Sequence, residues 1–133
     1  MRDLRDFYSP HFSASINGHK FTVECPSAED GIRLKLMVTN PDKIARDDDL
    51  TEINRLFKGD PIEESQFTLP TGGLWDELWA AGVTWDEAIH LGTTAFAYFA
   101  YGEAAAVVLW EGAGNLDPKV QDQIRERMKG LIS

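Results

Sequence analysis

The chain has a single cysteine in 133 residues, Cys25, so it cannot form an internal disulfide. Small secreted domains usually depend on several disulfides, whereas a lone thiol is typical of a reducing compartment. Lys20 is the basic residue nearest to Cys25 in sequence, which gives little support to an activated nucleophile. The cysteine usage therefore favours an intracellular protein without a disulfide framework.

Basic residues are also scarce. Lysine and arginine number 13 against 22 aspartates and glutamates, which gives a formal net charge of −9 and a pI near 4.7. Binding to nucleic acid or to an anionic membrane without sequence or lipid specificity needs a cationic surface. The composition argues against both of these functions.

Motifs that carry catalytic or metal chemistry are missing. His11, His19 and His90 are scattered, and none has a metal-ligand spacing, although the first two could approach one another. The acidic triplet at residues 47–49 lacks the glycine and distal glutamate of a calcium loop, and no lysine follows Gly72 and Gly73 as in a phosphate loop. We therefore predict a protein that is not an enzyme and that has no cofactor or metal.

Only one long stretch is nearly free of charge. Residues 91–110 contain a single charged side chain, Glu103, and by length they could span a membrane. A charge near the bilayer centre costs about 2.5 kcal/mol or more. Glycines and threonines further lower the hydrophobicity of the stretch. We expect a buried helical hairpin instead, and we expect no signal peptide because no apolar run follows Met1.

The N-terminal part predicts a β-hairpin at about residues 13–24. Asn17 and Gly18 suit the two central positions of a type I′ turn, which both require positive φ. After the turn, Phe21 and Val23 alternate with polar residues, as in a half-buried strand. An isolated hairpin is marginally stable in water, so this one must pack on helices or on another chain.

A helix is predicted after Pro26, with Ser27 as its N-cap and acidic residues in its first turn. The same residues also alternate as a strand would, but the cap favours the helix. We expect Ile32, Leu36 and Met37 to form its buried face, widened by Leu34 and Val38.

A second helix is predicted over residues 50–57, with Asp49 and Glu52 as its capping pair and Gly59 as its end. Its apolar positions are Leu50, Ile53, Leu56 and Phe57. Residues 60–73 contain prolines and glycines and predict a loop. We expect this loop to be anchored to the core by Ile62, Phe67 and Leu69.

The second half predicts three further helices before the tail. The first runs from Leu74 to a C-terminal glycine at Gly82, and the next begins at a capping box formed by Thr84 and Glu87. This helix runs to about Tyr101, Gly102 interrupts it, and a shorter helix covers residues 103–110. A charged helix is expected to start at residues 117–118, an aspartate followed by a proline.

Together these patterns predict a mainly α fold with a small N-terminal β-hairpin, an α+β arrangement within one compact helical domain. We place that domain at residues 1–116. Residues 117–133 are expected to form a C-terminal helix or a mobile tail.

Four tryptophans stand out in so short a chain: Trp75, Trp79, Trp85 and Trp110. Large apolar side chains are usually buried, and this is the simplest explanation for them. Aromatic residues also dominate the energetics of protein interfaces, so one or two of the four could be exposed anchors for a partner.

Several segments, taken in order and spacing, resemble tail assembly chaperones of long-tailed, siphovirus-type phages of actinobacteria. The resemblance covers about residues 6–39 and 74–111. Its segments are Asp6–Pro10, Ile16–Val23, Pro26–Leu34, Trp75–Leu78, Gly82–Trp85, His90–Ala95 and Gly102–Ala105. Their motifs are structural rather than catalytic.

The resemblance implies the short product of a frameshifted gene pair, a non-catalytic factor that binds the tape measure protein and helps to recruit tail tube subunits. Its partners would be the tape measure protein, with the tail tube protein and a longer frameshifted form of itself as further candidates. It would act in the host bacterial cytoplasm and be absent from the mature virion. Within residues 74–110 we predict a client-binding face that contains Trp75, Trp79, Phe96 and Phe99.

Two other functions stay open at this point. One is a structural component of the virion, such as a head–tail connector or a tail-terminator protein, which would favour more β structure and a stable ring. The other is a small cytosolic enzyme, which would need a convergent polar pocket.

Overall fold

The computed structural model describes residues 1–39, 49–62 and 68–112. A short 3-10 turn at Leu4–Asp6 precedes a β-hairpin, and helices follow. The predicted fold class, mainly α with an N-terminal β-hairpin, is confirmed. The elements are β1 (Phe12–Ile16), β2 (His19–Val23), α1 (Ala28–Thr39), α2 (Asp49–Phe57), α3 (Leu74–Ala80), α4 (Trp85–Tyr101) and α5 (Glu103–Glu111).

The hairpin forms as its turn residues predict. Asn17 has φ 49° and Gly18 has φ 83°, and the two strands pair antiparallel with Ile16 opposite His19. Side chains alternate between the two faces of this two-stranded sheet. Its inner face buries Phe12, Ile16, Phe21 and Val23.

Helix α1 begins where its cap predicts, because the backbone N–H of Asp30 donates to Ser27 Oγ at 3.3 Å. The predicted buried face is wrong in part. Leu34 and Met37 are buried, whereas Ile32 and Leu36 are 65% and 41% exposed.

An ion cluster explains this orientation of α1. Glu52 of α2 is buried, and its Oε1 accepts from Arg33 Nη2 of α1 at 2.6 Å and from Arg55 Nη1 at 3.0 Å. Turning Arg33 toward α2 places Leu34 on the inner side and Ile32 on the outer side. The Glu52 carboxylate therefore joins α1 to α2.

Helix α2 ends at Phe57, before Gly59, as predicted. Lys58, not Gly59, takes the left-handed conformation with φ 56°, and the N–H of Gly59 donates to Asn54 O at 3.0 Å. These features form a Schellman motif. Glycine is required at 59 because a Cβ there would lie 2.6 Å from Trp75 Cδ1 and 2.1 Å from Asn54 Oδ1.

Helices α3, α4 and α5 follow the predicted boundaries. Gly82 has φ 75° after α3, and the capping box of Thr84 and Glu87 opens α4. Gly102, with φ 113°, separates α4 from α5. Helix α4 is the centre of the fold, in contact with α1, α2, α5 and β1.

The loop anchors were predicted wrongly where the structure describes them. Ile62 is 36% exposed and Leu69 is 57% exposed, so neither holds the loop to the core. Phe67 and the predicted tail at residues 117–133 lie outside the described residues. Within the described ranges, every helix is too short or too polar to cross a bilayer.

Candidate partner-binding surface

Three tryptophans, Trp75 and Trp79 of α3 and Trp85 of α4, form one cluster of nearly parallel rings. The ring centroids of Trp75 and Trp79 are 5.7 Å apart, with 15° between the ring planes. Trp85 lies 6.2 Å from the Trp75 ring and 6.4 Å from the Trp79 ring, at angles of 5° and 16°. We call these residues the tryptophan cluster. Offset stacking of this kind adds about 0.5–1.5 kcal/mol per pair to the burial of the rings.

Hydrogen bonds fix the inner two rings. Trp75 Nε1 donates to Asn54 Oδ1 at 2.8 Å, and Trp79 Nε1 donates to the Pro70 carbonyl at 2.8 Å. The edge of Phe57 packs on Trp75 with a centroid distance of 4.7 Å. These contacts connect α3 to α2 and to the preceding loop, so the inner part of the cluster is rigid.

The four predicted client-binding residues have different environments. Trp75 is fully buried, so it presents no surface to a partner in this fold and belongs to the core. Trp79, Phe96 and Phe99 are half-buried and pack against the core with one side.

The structure does not bring these four residues into one patch. Trp75 and Trp79 stack on Trp85 at the beginning of α4, whereas Phe96 and Phe99 lie near its end. With a rise of 1.5 Å per residue, Trp85 and Phe99 are about 21 Å apart along the helix axis.

The most exposed tryptophan is Trp85, which is 42% exposed and was not among the four predicted residues. Its position in the sequence contains a signal for this exposure. Thr84 is the N-cap, so Trp85 is the first helical residue and lies before the first full turn that packs on the core. Exposure of a large aromatic ring on a rigid support is typical of an interface anchor.

Four exposed acidic side chains are close in sequence to the tryptophans. Asp76 and Glu77 are exposed in the first turn of α3, and Asp86 and Glu87 are exposed in the first turn of α4. Backbone and side-chain hydrogen bonds from Thr84, at 2.9 and 2.8 Å, hold the pKa of the Glu87 carboxyl below its ordinary value. The two helices therefore combine an exposed apolar anchor with negative charge in their first turns, which complements a partner that is apolar and basic.

Other candidate sites from the sequence are dispersed. His11 lies beside Cys25, whose backbone N–H donates to His11 Nδ1 at 2.9 Å, whereas His19 lies at the turn end of the hairpin. The predicted approach of His11 and His19 is therefore wrong. Among the residues that the structure describes, no three His, Cys, Asp or Glu side chains are grouped so that they could hold a metal ion.

Comparison with known proteins identifies the family of the chain. No curated protein and no solved structure matches the chain. The family described as domain of unknown function DUF7426 matches residues 2–129, and the chain belongs to this family.

Proposed function

We propose that this protein is a non-catalytic tail assembly chaperone of a long-tailed phage, which binds the tape measure protein and helps to recruit tail tube subunits. The sequence resemblance at residues 6–39 and 74–111 supports the proposal. A tape measure protein is a long, partly apolar helical chain, which would aggregate if its apolar surface were left uncovered.

The observation that carries the proposal is the exposed indole of Trp85 on its rigid support. Trp85 is 42% exposed, and Trp75 beneath it is fully buried. Because the stack already restricts the ring, a partner that contacts it loses little side-chain entropy on binding. Such a preorganised aromatic anchor suits the apolar face of a helix.

Charge supports the same function. The chain has a net charge of −9, and four exposed carboxylates lie in the first turns of α3 and α4, the helices that carry the tryptophan cluster. A client covered by negatively charged copies would repel other covered clients, and this repulsion would keep the complexes dispersed. Many weak contacts along one long client would also add up through multivalency.

The client-binding face is accordingly centred on Trp85 and Trp79, with Trp75 as their internal support. Phe96 and Phe99, at the far end of α4, form a second part of the proposed face. A long helical client could contact both parts, since they lie along a single helix.

Co-expression tests the proposal. The protein is produced with the tape measure protein from the same phage gene cluster, with and without the tail tube protein, and is recovered by an affinity tag. We expect the tape measure protein to co-purify and to stay soluble only in the presence of the chaperone. Trp85→Ala should reduce the recovered client, because the exposed ring contributes more to binding than to folding.

A matched control uses another exposed apolar side chain. Ile32 of α1 is 65% exposed and lies outside the tryptophan cluster, so Ile32→Ala should leave recovery of the client unchanged. Equal losses in Trp85→Ala and Ile32→Ala would contradict the proposed face.

Other outcomes would favour other functions. Stoichiometric amounts of the protein in purified virions would favour a connector or tail-terminator component over a chaperone. Failure to bind any tail protein, together with turnover of a small molecule, would favour an enzyme.

A further inference from the structure

The outer edge of β1 is an open edge of the hairpin. Ile16 and His19 flank the two-residue turn and form a hydrogen-bonded pair, so the pairs Ser15–Lys20 and Ser13–Thr22 are of the non-hydrogen-bonded type. In such pairs the backbone N–H and C=O groups point away from the partner strand. Ser13 and Ser15 therefore direct their backbone groups outward from β1.

These outward groups have no protein partner in the described ranges. Outside the β1–β2 ladder, no backbone hydrogen bond within residues 1–39, 49–62 and 68–112 involves Ser13 or Ser15. The Ser13 hydroxyl pairs with Thr22 Oγ1 at 2.9 Å on the outer face of the sheet. A row of unpaired donors and acceptors of this kind is a template for a further strand.

A groove runs along the same edge. It has a volume of about 350 Å³, with β1 as one wall and α5 as the other. The Phe12 and Tyr98 rings lie at its base with centroids 5.3 Å apart, and Val107 on α5 is 45% exposed. A strand edge facing a helix across a groove is the arrangement in which domains such as PDZ accept an added peptide strand.

The groove is negatively charged as well as apolar. Glu103 and Glu111 line its α5 side and are exposed. Burial, together with the nearby Tyr8 and Glu103, raises the pKa of Tyr98. The occupant that complements this surface carries apolar and basic side chains on the face that points into the groove.

We propose that β1 accepts an extended, basic and apolar peptide segment of a partner protein as a third strand, paired with Ser13 and Ser15. Alternate residues of the segment direct their side chains toward Tyr98, Val107 and the two carboxylates. The remaining residues direct their side chains outward, beside the polar outer face of the hairpin. This surface shares no residue with the tryptophan cluster, and the inference does not depend on the proposed chaperone function.

The test uses the full chain and a synthetic octapeptide in which threonine alternates with valine or lysine. Amide hydrogen exchange is followed by NMR in physiological salt. We expect the peptide to slow exchange at Ser13 and Ser15 by about tenfold or more, which corresponds to about 1.4 kcal/mol of protection. Exchange at Lys20 and Thr22, on the opposite edge, should not change.

Backbone methylation of the peptide tests the register. The proposed strand runs antiparallel to β1, as β2 does. When valine and lysine face the groove in this pairing, the threonine N–H groups face β1. N-methylation at the threonines should therefore abolish binding, whereas N-methylation at the valines and lysines should leave it intact. Equal effects of the two methylated peptides would show that charge alone attracts the peptide, and would overturn the proposal.

Two proline variants provide a matched pair. Ser13→Pro removes an N–H from the free edge of β1, and Thr22→Pro removes the equivalent N–H from β2, directly opposite. Both lose the same side-chain hydrogen bond, and neither removes a bond of the β1–β2 ladder. We expect Ser13→Pro to lose about tenfold or more in peptide affinity and Thr22→Pro to bind normally.

A second variant keeps the test decisive if the proline variants fail to fold. The double variant Glu103→Gln and Glu111→Gln changes only exposed side chains. It should weaken the lysine-containing peptide severalfold and leave a peptide with methionine in place of lysine unaffected.

Three results would overturn the proposal. The first is that the peptide does not bind. The second is that it slows amide exchange at Thr22 rather than at Ser13. The third is that amide exchange at Ser13 and Ser15 slows with rising protein concentration when no peptide is present. The last result would assign the β1 edge to a second copy of the chain.

Discussion

Gly92 of α4 lies directly against Ile53 of α2. A Cβ at position 92 would be 2.4 Å from Ile53 Cγ2 and 2.9 Å from Ile53 Cγ1, and Ile53 is only 3% exposed. The missing side chain at this position therefore sets how closely the two helices approach.

We predict that Gly92→Ala destabilises the protein. Alanine gains about 1 kcal/mol of helix propensity over glycine, but overpacking at a buried contact costs about 1–3 kcal/mol. We expect a net loss of up to about 2 kcal/mol in the free energy of unfolding, measured by urea denaturation.

Gly31 of α1 is the matched control, because a Cβ there would meet no atom within 4 Å. Gly31→Ala should stabilise the protein by about 0.5–1 kcal/mol through helix propensity alone. Ile53→Val combined with Gly92→Ala should recover part of the loss. Stabilisation by Gly92→Ala alone would mean that α2 and α4 are not held at this distance.

The second prediction concerns the ion cluster. Removing the buried carboxylate in Glu52→Gln leaves Arg33 and Arg55 without their shared anion, and α1 loses its charged link to α2. Breaking a buried pair costs about 3–5 kcal/mol, but both guanidiniums are partly exposed, so we expect about 1–3 kcal/mol. Urea denaturation measures the loss.

The exposed pair of Lys58 and Glu24 provides the comparison. Their side chains are 61% and 60% exposed, so solvent screens the pair and Glu24→Gln should cost far less than Glu52→Gln. If both substitutions cost the same, the Glu52 cluster would contribute no more than a surface ion pair.

The third prediction follows from the capping box. Hydrogen bonds from Thr84 lower the pKa of the Glu87 carboxyl below its ordinary value of 4.5. Because the pKa is lower in the folded chain, this stabilisation is fully present above the unfolded pKa and is lost as the pH falls through the folded pKa. In Thr84→Ala the pKa of Glu87 should rise only part of the way toward its ordinary value, because the hydroxyl donor is lost while the backbone N–H at position 84 still donates. An NMR titration of the side chain measures this rise.

Thr84→Ala should also lower stability by about 1 kcal/mol, the usual cost of a lost N-cap. Thr93→Ala is the control. Its hydroxyl donates to the Ile89 carbonyl within the same helix, so this substitution should leave the pKa of Glu87 unchanged. An unaltered Glu87 pKa in Thr84→Ala would contradict the capping assignment.

The fourth prediction concerns two of the predicted client-binding residues, Trp79 and Phe99. We expect soluble, folded Trp79→Ala and Phe99→Ala to bind the tape measure protein about tenfold more weakly than the native chain, because aromatic anchors dominate such interfaces. Affinity is measured on the folded fraction, since Trp79→Ala also removes the hydrogen bond to Pro70. Unchanged affinity in both variants would remove α3 and the end of α4 from the proposed face.

Features encoded within a few residues were predictable from the sequence. The turn at Asn17 and Gly18, the capping box at Thr84, and the helix ends at Gly82 and Gly102 depend on local backbone geometry, and the structure contains all of them. Such signals do not require knowledge of what the element packs against.

Features that depend on contacts between distant residues were not predictable in the same way. The sequence of α1 is apolar at several positions around the helix, so it did not indicate that Arg33 would turn toward Glu52 and leave Ile32 exposed. Gly59 was predicted as the end of α2, but the sequence did not show that a side chain there would clash with Trp75, or that Lys58 would take the positive φ.

The candidate surface shows the same division. The sequence identified the tryptophans, but their number could not reveal which ring is covered by the others. The structure distinguishes the two roles. Trp75 stacks against Trp85 and is fully buried, so it is the support, whereas Trp85 is exposed and is the anchor.

The polar outer face of the hairpin affects how far the sheet could grow. Ser13, Ser15, Lys20 and Thr22 occupy that face, and each strand has only five residues. Amyloid-like stacking needs dry, interdigitating side chains on long flat strands, and hydroxyls with a lysine do not supply them. The ribbon can thus admit one short guest strand while resisting the growth of fibrils.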